Sequence, residues 1–533
     1  MPARLTADGG RITLRQLEAS GRVPRGRKPR VGSVAAMEIR EVAVVGLGTM
    51  GAGIAEVLAR AGVGVVAIEV DADALGHGLG ILEGSLAKAV SRGKLTEAQQ
   101  GEIWGRIRPA ASFSDAARVD MAIEVVPERM EIKRQILAEL DRVCSPEAIL
   151  ATNTSSLSVT AIAAASKHPS RVIGMHFFNP APVMRLVEVV STVLTDSALP
   201  GQVADLARRL GKTPVQVSDR AGFLANALLL PYLNHAVRLL ETGYASREDI
   251  DAAATVGIGL PMGPLALLDL IGLDTSLSIL EILRAEFGGP RYTPAPLLRR
   301  LTDAGRTGRK AGRGLYDYAG GAEADDVKDG NEAAPSSPST VTLIGSGRAA
   351  EAELASAIAA AGINVTRNPA HPSDLIVIVA GPDEQVLPAA IATGRAQQAV
   401  GFHPAGTDLI EVISTGQTGP PAAGAGAALA ERLGKQAVHT PDRPGFLVGA
   451  LLYPHLADAV LMVQDGYASV ADVDTAMTLG CGYPQGPFQL LDKAGAAAVL
   501  DGLRGMHAGY GDPAFAPPPL LAEHAAAGMG FTG

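Results

Sequence analysis

Residues 41–71 read EVAVVGLGTMGAGIAEVLARAGVGVVAIEVD. The run Val42–Val45 is apolar and bounded by a glycine turn, the pattern of a buried strand. Gly46, Gly48 and Gly51 form G-x-G-x-x-G directly after it, with Leu47, Thr49 and Met50 in the gaps. Ile54, Val57, Leu58 and Ala61 then recur at helical spacing, and a second apolar run, Val65–Ile68, delivers Glu69. The first glycine permits a tight turn, the second lets a pyrophosphate approach the backbone, and the third lets helix pack close to strand. The helix N-terminus adds free N–H groups and the positive end of its dipole. A glycine triplet alone is a common turn. With a strand before it, a helix after it and an acid 18 residues past Gly51, it reads as a βαβ dinucleotide unit. Glu69 can accept hydrogen bonds from both ribose hydroxyls and repels a 2′-phosphate, which favours NAD over NADP.

The rest of the chain is long enough for several domains, at 533 residues. A formal net charge of −9 argues against a nucleic-acid partner. No apolar run approaches the ~20 residues of a membrane helix. The two cysteines, Cys144 and Cys481, match no metal or redox spacing, so no metal is expected and a reducing cytoplasm fits. Residues 1–37 differ in composition, with eight basic residues against Asp8 and Glu18 and no apolar core of a secretory signal. An Arg-rich organellar presequence would share that composition. The simpler expectation is a disordered extension ahead of Met37, where MEIREVAVVG begins the first strand.

The expected architecture is an α/β Rossmann-type NAD-binding domain over 38–219, followed by an all-α domain over 220–319. A helical stretch, Ala72–Ala111, separates the second and third apolar strands of the first domain. The second domain opens on one long helix, Phe223–Leu240, with Pro231 inside it as an expected kink. It closes on GRKAGRGLYDY, Gly308–Tyr318. Residues 320–340 are acidic, then Pro/Ser-rich, and read as a linker. The chain then repeats itself. At a constant offset of 223, Glu188 falls on Glu411, Asp219 on Asp442, Phe223 on Phe446, Pro231 on Pro454 and Asp269 on Asp492. The offset at the first strands is 299, Val42 onto Val341, so the second copy is about 76 residues shorter. Residues 341–440 thus read as a truncated Rossmann-like remnant and 441–533 as a second all-α domain. The second glycine turn, Gly345-Ser-Gly347-Arg-Ala-Ala350, lacks its third glycine. Arg348 and Ala350 there hinder phosphate approach, so no second dinucleotide is expected.

Chemistry-bearing residues concentrate in the first copy. ATNTSSLS, Ala151–Ser158, places small hydroxyls at a strand end, where open α/β sheets bind ligands. GMHFFNPAPVMRLVEVV, Gly174–Val190, puts His176 at a strand end and Glu188 on the next apolar segment. Such a pair suits oxidation of an alcohol: neutral imidazole takes the hydroxyl proton as hydride leaves carbon, and the carboxylate fixes the tautomer. Taken singly, His176 equally fits a hydrogen-bonded core histidine, Ser155 a helix cap, Asn226 a backbone-bonded amide and Glu188 an ion-pair partner. The duplication separates these readings. By alignment the second copy has Val400 or Gly401 in place of His176, Gly449 in place of Asn226, and nothing like the Ser155 segment, while it keeps the apolar packing residues. Glu411 persists, so Glu188 also fits a partly structural role.

The segments G-L-G-T-M-G, N-T-S-S-L, H-F-F-N-P-A-P-V-M-R-L-V-E-V, G-F-L-A-N, G-L-P-M-G-P-L-A-L-L-D and G-R-K-A-G-R-G-L-Y-D-Y together resemble the L-3-hydroxyacyl-CoA dehydrogenase family, 3-hydroxybutyryl-CoA dehydrogenases included. The resemblance spans about Val42–Tyr318, with a degenerate second copy behind it. It implies His176 as general base, Glu188 as its partner, and Ser155 and Asn226 as residues orienting an acyl-CoA substrate. It also implies Glu128, Lys133, Asn179 and Lys310 around NAD, and Ser85 and Arg92 on CoA, where the family often has Lys at Arg92 and Asp at Glu69. The tandem form is similar to those linked to fatty-acid, butyrate or phenylacetate breakdown. Two other readings compete: a dehydrogenase of a free hydroxy or sugar acid, and a non-enzymatic dinucleotide-binding protein. Finally, the family's helical domain is also its dimer contact. The two helical domains are therefore expected to dock within one chain as a pseudo-dimer.

Overall fold

The computed structural model describes residues 38–318, 337–345 and 349–533. The basic extension 1–37, most of the 320–340 linker, and Gly347 and Arg348 of the second glycine turn lie outside the described residues. The architecture below is that of Ile39–Gly533.

The first sheet has eight strands: β1 Glu41–Val45, β2 Gly64–Ile68, β3 Ile107–Ala110, β4 Met121–Glu124, β5 Ile149–Thr152, β6 Val172–Phe177, β7 Leu186–Ser191 and β8 Thr213–Ser218. Their order is β3-β2-β1-β4-β5-β6-β7-β8. β1 pairs parallel with β2 on one side and β4 on the other, so its C-terminal end is a topological switch point. Val42–Val45 are buried on both faces, which is why this strand reads as continuously apolar. The expected helical stretch Ala72–Ala111 is corrected here. It breaks into helices Ala72–Ser91 and Glu97–Trp104 and then the edge strand β3. Gly93, at φ +68°, ends the first helix, and the Thr96 side chain caps the second. Only Ile107 and Ala110 of β3 are buried, and an edge tolerates Pro109, so the strand carries little hydrophobic signal. β7 runs antiparallel to β6, because residues 178–185 are too few for a crossover helix.

Helix Ala225–Glu241 opens the first helical region and continues without interruption past Pro231. Asp269, on helix Pro264–Ile271, accepts bonds from Leu315 N, Tyr316 N and the Tyr318 hydroxyl, and so fixes the glycine-rich tail. Its repeat partner Asp492 does the same for Phe531 and Thr532.

The second sheet has six strands: β9 Thr340–Ile344, β10 Asn364–Thr366, β11 Leu375–Val379, β12 Ala399–Ala405, β13 Leu409–Ser414 and β14 Gln436–Pro441, in the order β10-β9-β11-β12-β13-β14. It is the first sheet without β3 and with β4 and β5 collapsed into β11. β11 lies beside β9 as β4 lies beside β1. Yet the helix after β11 is capped by Asp442, as the helix after β5 is capped by Asp219.

The long helices Ala225–Glu241 and Val448–Gln464 pack on one another, and one hydrophobic core runs through both helical regions. Tyrosines and glycines at equivalent positions of the two copies, Tyr244 and Tyr467 and Gly257 and Gly480, each reach across to the other copy. The Tyr244 hydroxyl donates to Phe446 O, and the Tyr467 hydroxyl donates to Ser218 O. Gly257 abuts Leu409 and Val448, and Gly480 abuts Leu186 and Phe178.

Candidate active site

The glycine turn behaves as its sequence requires. Gly46 has φ +94°, and a Cβ on it would lie 2.8 Å from Val125 O. A Cβ on Gly51 would lie 1.7 Å from Gly46 O, so the third glycine is what lets the helix Thr49–Arg60 sit on the turn. Nothing lies within 4 Å of a Cβ built on Gly48, and no side chain caps this helix. The phosphates of a dinucleotide therefore find open space over the N–H groups of Gly48–Met50. Glu69 stands beside the turn, accepting from Leu47 N at 2.5 Å and from Val70 N at 3.0 Å. These residues fit NAD.

At the far ends of β4 and β5, Glu128 gathers the 154–156 loop. Its Oε1 accepts from the Thr154 hydroxyl at 2.6 Å and Ser155 N at 3.0 Å, and also from Ser156. Burial pushes its pKa upward, but Lys133 and these donors win and hold it below the usual carboxylate range. Lys133 is completely buried, bonded to Glu124, Val126 O and Asn153 O, and reaches toward the cleft only through Glu128 at 3.5 Å. It clamps the strand ends beneath the site. Lys310 pairs with Asp274 at 2.8 Å on the helical side, and no described contact joins it to the glycine turn.

His176 and Glu188 face each other in register across the antiparallel pair β6–β7. His176 Nδ1 lies 2.6 Å from Glu188 Oε2. Glu188 is fully buried, and its Oε1 accepts from Leu224 N and Ala225 N, at 3.0 and 2.9 Å. Two N–H groups at the start of the long helix thus anchor the carboxylate. With Nδ1–H donating to Glu188, Nε2 is the lone-pair nitrogen, and it has no protein partner among the described residues. Asn226 Nδ2 donates to Ser155 O at 3.3 Å, tying the helix to the loop that carries the Ser155 hydroxyl. Sequence reasoning missed the rings that flank the imidazole: Phe178 at 4.4 Å and Phe223 at 5.6 Å between centroids. Phe223 has φ +49°, unusual for a bulky side chain, and its counterpart Phe446 has φ +47°. The G-F-L repeated in both copies was the available signal.

Ser85, Arg92 and Asn179 share one groove of about 350 Å³ with Arg60, Lys88 and Lys94. Its only acid is Glu56, already held by Arg60 at 2.6 Å. A cationic groove of this kind suits the phosphates of CoA.

Comparison with known proteins follows the same line. The family model for the 3-hydroxyacyl-CoA dehydrogenase NAD binding domain matches residues 41–220. The model for the 3-hydroxyacyl-CoA dehydrogenase C-terminal domain matches residues 222–318 and again 445–530. The chain belongs to the 3-hydroxyacyl-CoA dehydrogenase family. A 3-hydroxybutyryl-CoA dehydrogenase of Mycobacterium tuberculosis is 47% identical over 282 residues, 52% of this chain and 99% of that protein. A 3-hydroxyadipyl-CoA dehydrogenase of Escherichia coli K12 is 33% identical over 93% of this chain and 99% of its own length. The crystal structure of a 3-hydroxybutyryl-CoA dehydrogenase from Escherichia coli K12 superimposes with a TM-score of 0.78, at 34% identity, over 92% of this chain and 99% of that one. The protein is an NAD-dependent 3-hydroxyacyl-CoA dehydrogenase.

The second copy of this dehydrogenase corrects one expectation. Neither Val400 nor Gly401 stands where His176 does. His403 lies opposite Glu411 in the β12–β13 ladder, as His176 lies opposite Glu188. The connection between the strands shrinks from residues 178–185 to 406–408, which moves the histidine's offset from 223 to 227. The arrangement is nevertheless altered. His403 Nδ1 is 2.9 Å from Ala380 O, and its Nε2 is 3.9 Å from Glu411 Oε2. A Cβ on Gly345 would lie 2.4 Å from the carboxylate of Glu351, which sits against the second glycine turn paired with Arg367.

Burial pushes the Glu411 carboxyl up to about 7 from the ordinary 4.5, against the opposing pull of Leu447 and Val448 N–H. Between those values the folded chain holds a proton that the unfolded chain has released, so stability falls as pH rises through that window. Glu411→Gln keeps the acceptor oxygen and removes the titration. Its stability relative to the parent is expected to grow across the window, by up to about 3 kcal/mol at its upper end. Urea melts over this pH range check the point, and a difference that stays constant with pH contradicts it.

Proposed function

We propose that the first copy oxidises short-chain L-3-hydroxyacyl-CoA, 3-hydroxybutyryl-CoA foremost, to the 3-oxoacyl-CoA, and that the second copy is not catalytic. The observation that carries this reading is the in-register His176–Glu188 pair, whose Nε2 has no partner among the described residues. When bound, NAD supplies the hydride acceptor. His176 Nε2 takes the C3 hydroxyl proton. Glu188 keeps the lone pair on Nε2 beforehand and stabilises the imidazolium afterwards. Ser155 and Asn226 orient the oxygen at C3, and Ser85 and Arg92 hold the CoA. Glu128 positions the Ser155 loop with Lys133 behind it, and Asn179, which lines the groove of Ser85 and Arg92, serves the NAD side. Lys310 comes to the cofactor from the helical side. In the second copy, the Glu351 carboxylate crowds Gly345 and Ala380 O occupies His403 Nδ1. The helical regions act as a pseudo-dimer within one chain, supported by the packing of the two long helices and by tyrosines and glycines at equivalent positions that each reach into the other copy. Breakdown of fatty acids, butyrate or phenylacetate is the setting such a reaction fits.

NADH oxidation with acetoacetyl-CoA, run beside free acetoacetate and a hexonate/NAD pair, tests the substrate class. Turnover of the free acids alone would overturn it. The name of the relative that spans nearly the whole chain adds a second candidate, 3-hydroxyadipyl-CoA, and relative kcat/KM decides between the two. Glu69 gives a further expectation. NAD should exceed NADP in kcat/KM by at least about tenfold, because like charges set together cost several kcal/mol. Equal values would remove Glu69 as the discriminating residue.

A further inference from the structure

We propose that Gly480, in the second copy, is a positioning residue for the active site of the first, acting on His176 through Phe178. In a β-strand, residues two apart share a face. Glu188 and Leu186 of β7 therefore point the same way, and Phe178, the residue after β6, sets its ring against the imidazole of His176 on that face. Gly480 sits against that face. A Cβ built on it would lie 2.5 Å from Leu186 Cδ2 and 3.4 Å from the Phe178 ring. The Phe178 ring in turn lies 4.4 Å from the imidazole. Gly480 is inside the helix Val470–Cys481, where glycine is a poor choice for helix stability, so its use here lies in the close approach it permits. The same helix packs on β7 and β8 of the first copy. Just before it, Tyr467 reaches the hinge between sheet and helical region: its hydroxyl donates to Ser218 O, and Arg220 lies over its ring at 4.9 Å. The second copy thus forms the wall behind the catalytic pair.

The pseudo-symmetric glycine supplies the control. Gly257 makes the matching approach, to Leu409 and Val448, on the side away from His176. Gly480→Val and Gly257→Val place similar bulk in the same interface. Both are made in the full chain and compared by thermal melting, NADH affinity, kcat and KM for acetoacetyl-CoA, and the pH profile of kcat. Both should melt lower. Only Gly480→Val should lower kcat, by about tenfold or more, because a small displacement of a catalytic group is costly. Its pH profile should shift while NADH affinity stays within about twofold of the parent. If Gly480→Val fails to fold, Gly480→Ala is read instead, with a smaller loss of kcat expected in the same pattern. An unchanged kcat in the Gly480 variants, or an equal loss in Gly257→Val, overturns the proposal. The inference rests on His176 as the base, which His176→Gln tests separately. Loss of activity there with none in the Gly480 variants would retain the base and discard the wall.

Discussion

His176→Gln lowers kcat by about 10²–10⁴-fold, the scale of a general base. NADH affinity stays near that of the parent, because the glycine turn and Glu69 lie at the ends of β1 and β2, with β4 and β5 between them and the strand of His176. Gln keeps a polar side chain opposite Glu188 but offers no basic nitrogen. The loss is therefore expected in kcat rather than in folding or in KM. Glu188→Gln should lose as much or less activity. It acts through the imidazole, and its Oε1 also anchors Leu224 and Ala225 N–H, a bond the amide oxygen can keep. Steady-state kinetics beside fluorescence titration of NADH make the separation. A His176→Gln enzyme with most of its activity would remove the assignment.

The second large effect lies where the two halves meet. Arg291, from the first copy, lies 2.5 Å from Asp458 of the second, and both side chains are largely buried. Arg291 also donates to Ala514 O at 3.0 Å and to Pro454 O. Burial pushes the Asp458 carboxyl up to about 6, and the guanidinium limits the rise. Removing one member of such a pair leaves an uncompensated buried charge, so Arg291→Ala is expected to cost about 3–5 kcal/mol. Replacing both members by apolar residues, Arg291→Met with Asp458→Leu, should recover much of the loss. Equilibrium urea unfolding compares the parent, the single variant and the pair. A change within about 1 kcal/mol for Arg291→Ala would show that the contact is solvated and unimportant. The pair has a further consequence. At the 223-residue offset Asp458 corresponds to His235, so two first copies would meet arginine with histidine rather than with aspartate. The halves have become complementary rather than self-complementary.

The glycine turn, the acid after β2, the duplication and the pairing of His176 with Glu188 were legible in the sequence because each is local or periodic. Gly46, Gly48 and Gly51 have their spacing fixed by the turn itself. Asp269 and Asp492 stood out by repetition, and the structure shows each holding the segment that closes its helical region. What escaped depended on pairing between segments. β3 is a short edge strand with two exposed positions out of four, and no alternation distinguishes it from a helix end. His403 escaped because histidine and glutamate are 8 residues apart in the second copy and 12 in the first, and constant-offset alignment cannot follow a shift within a hairpin. Only the β12–β13 ladder places it against Glu411. Phe178 and Gly480 are 302 residues apart in the chain, and nothing in either segment announces the other.

One chain is expected to carry one working site, in its first copy. Single-turnover oxidation of NADH by excess enzyme with acetoacetyl-CoA, coupled to a count of NADH bound per chain, tests it most directly. The account expects one NADH per chain, a fast oxidation phase that vanishes in His176→Gln, and the same phase intact in His403→Gln. Two NADH per chain, or a phase that survives in His176→Gln and is lost in His403→Gln, would contradict it.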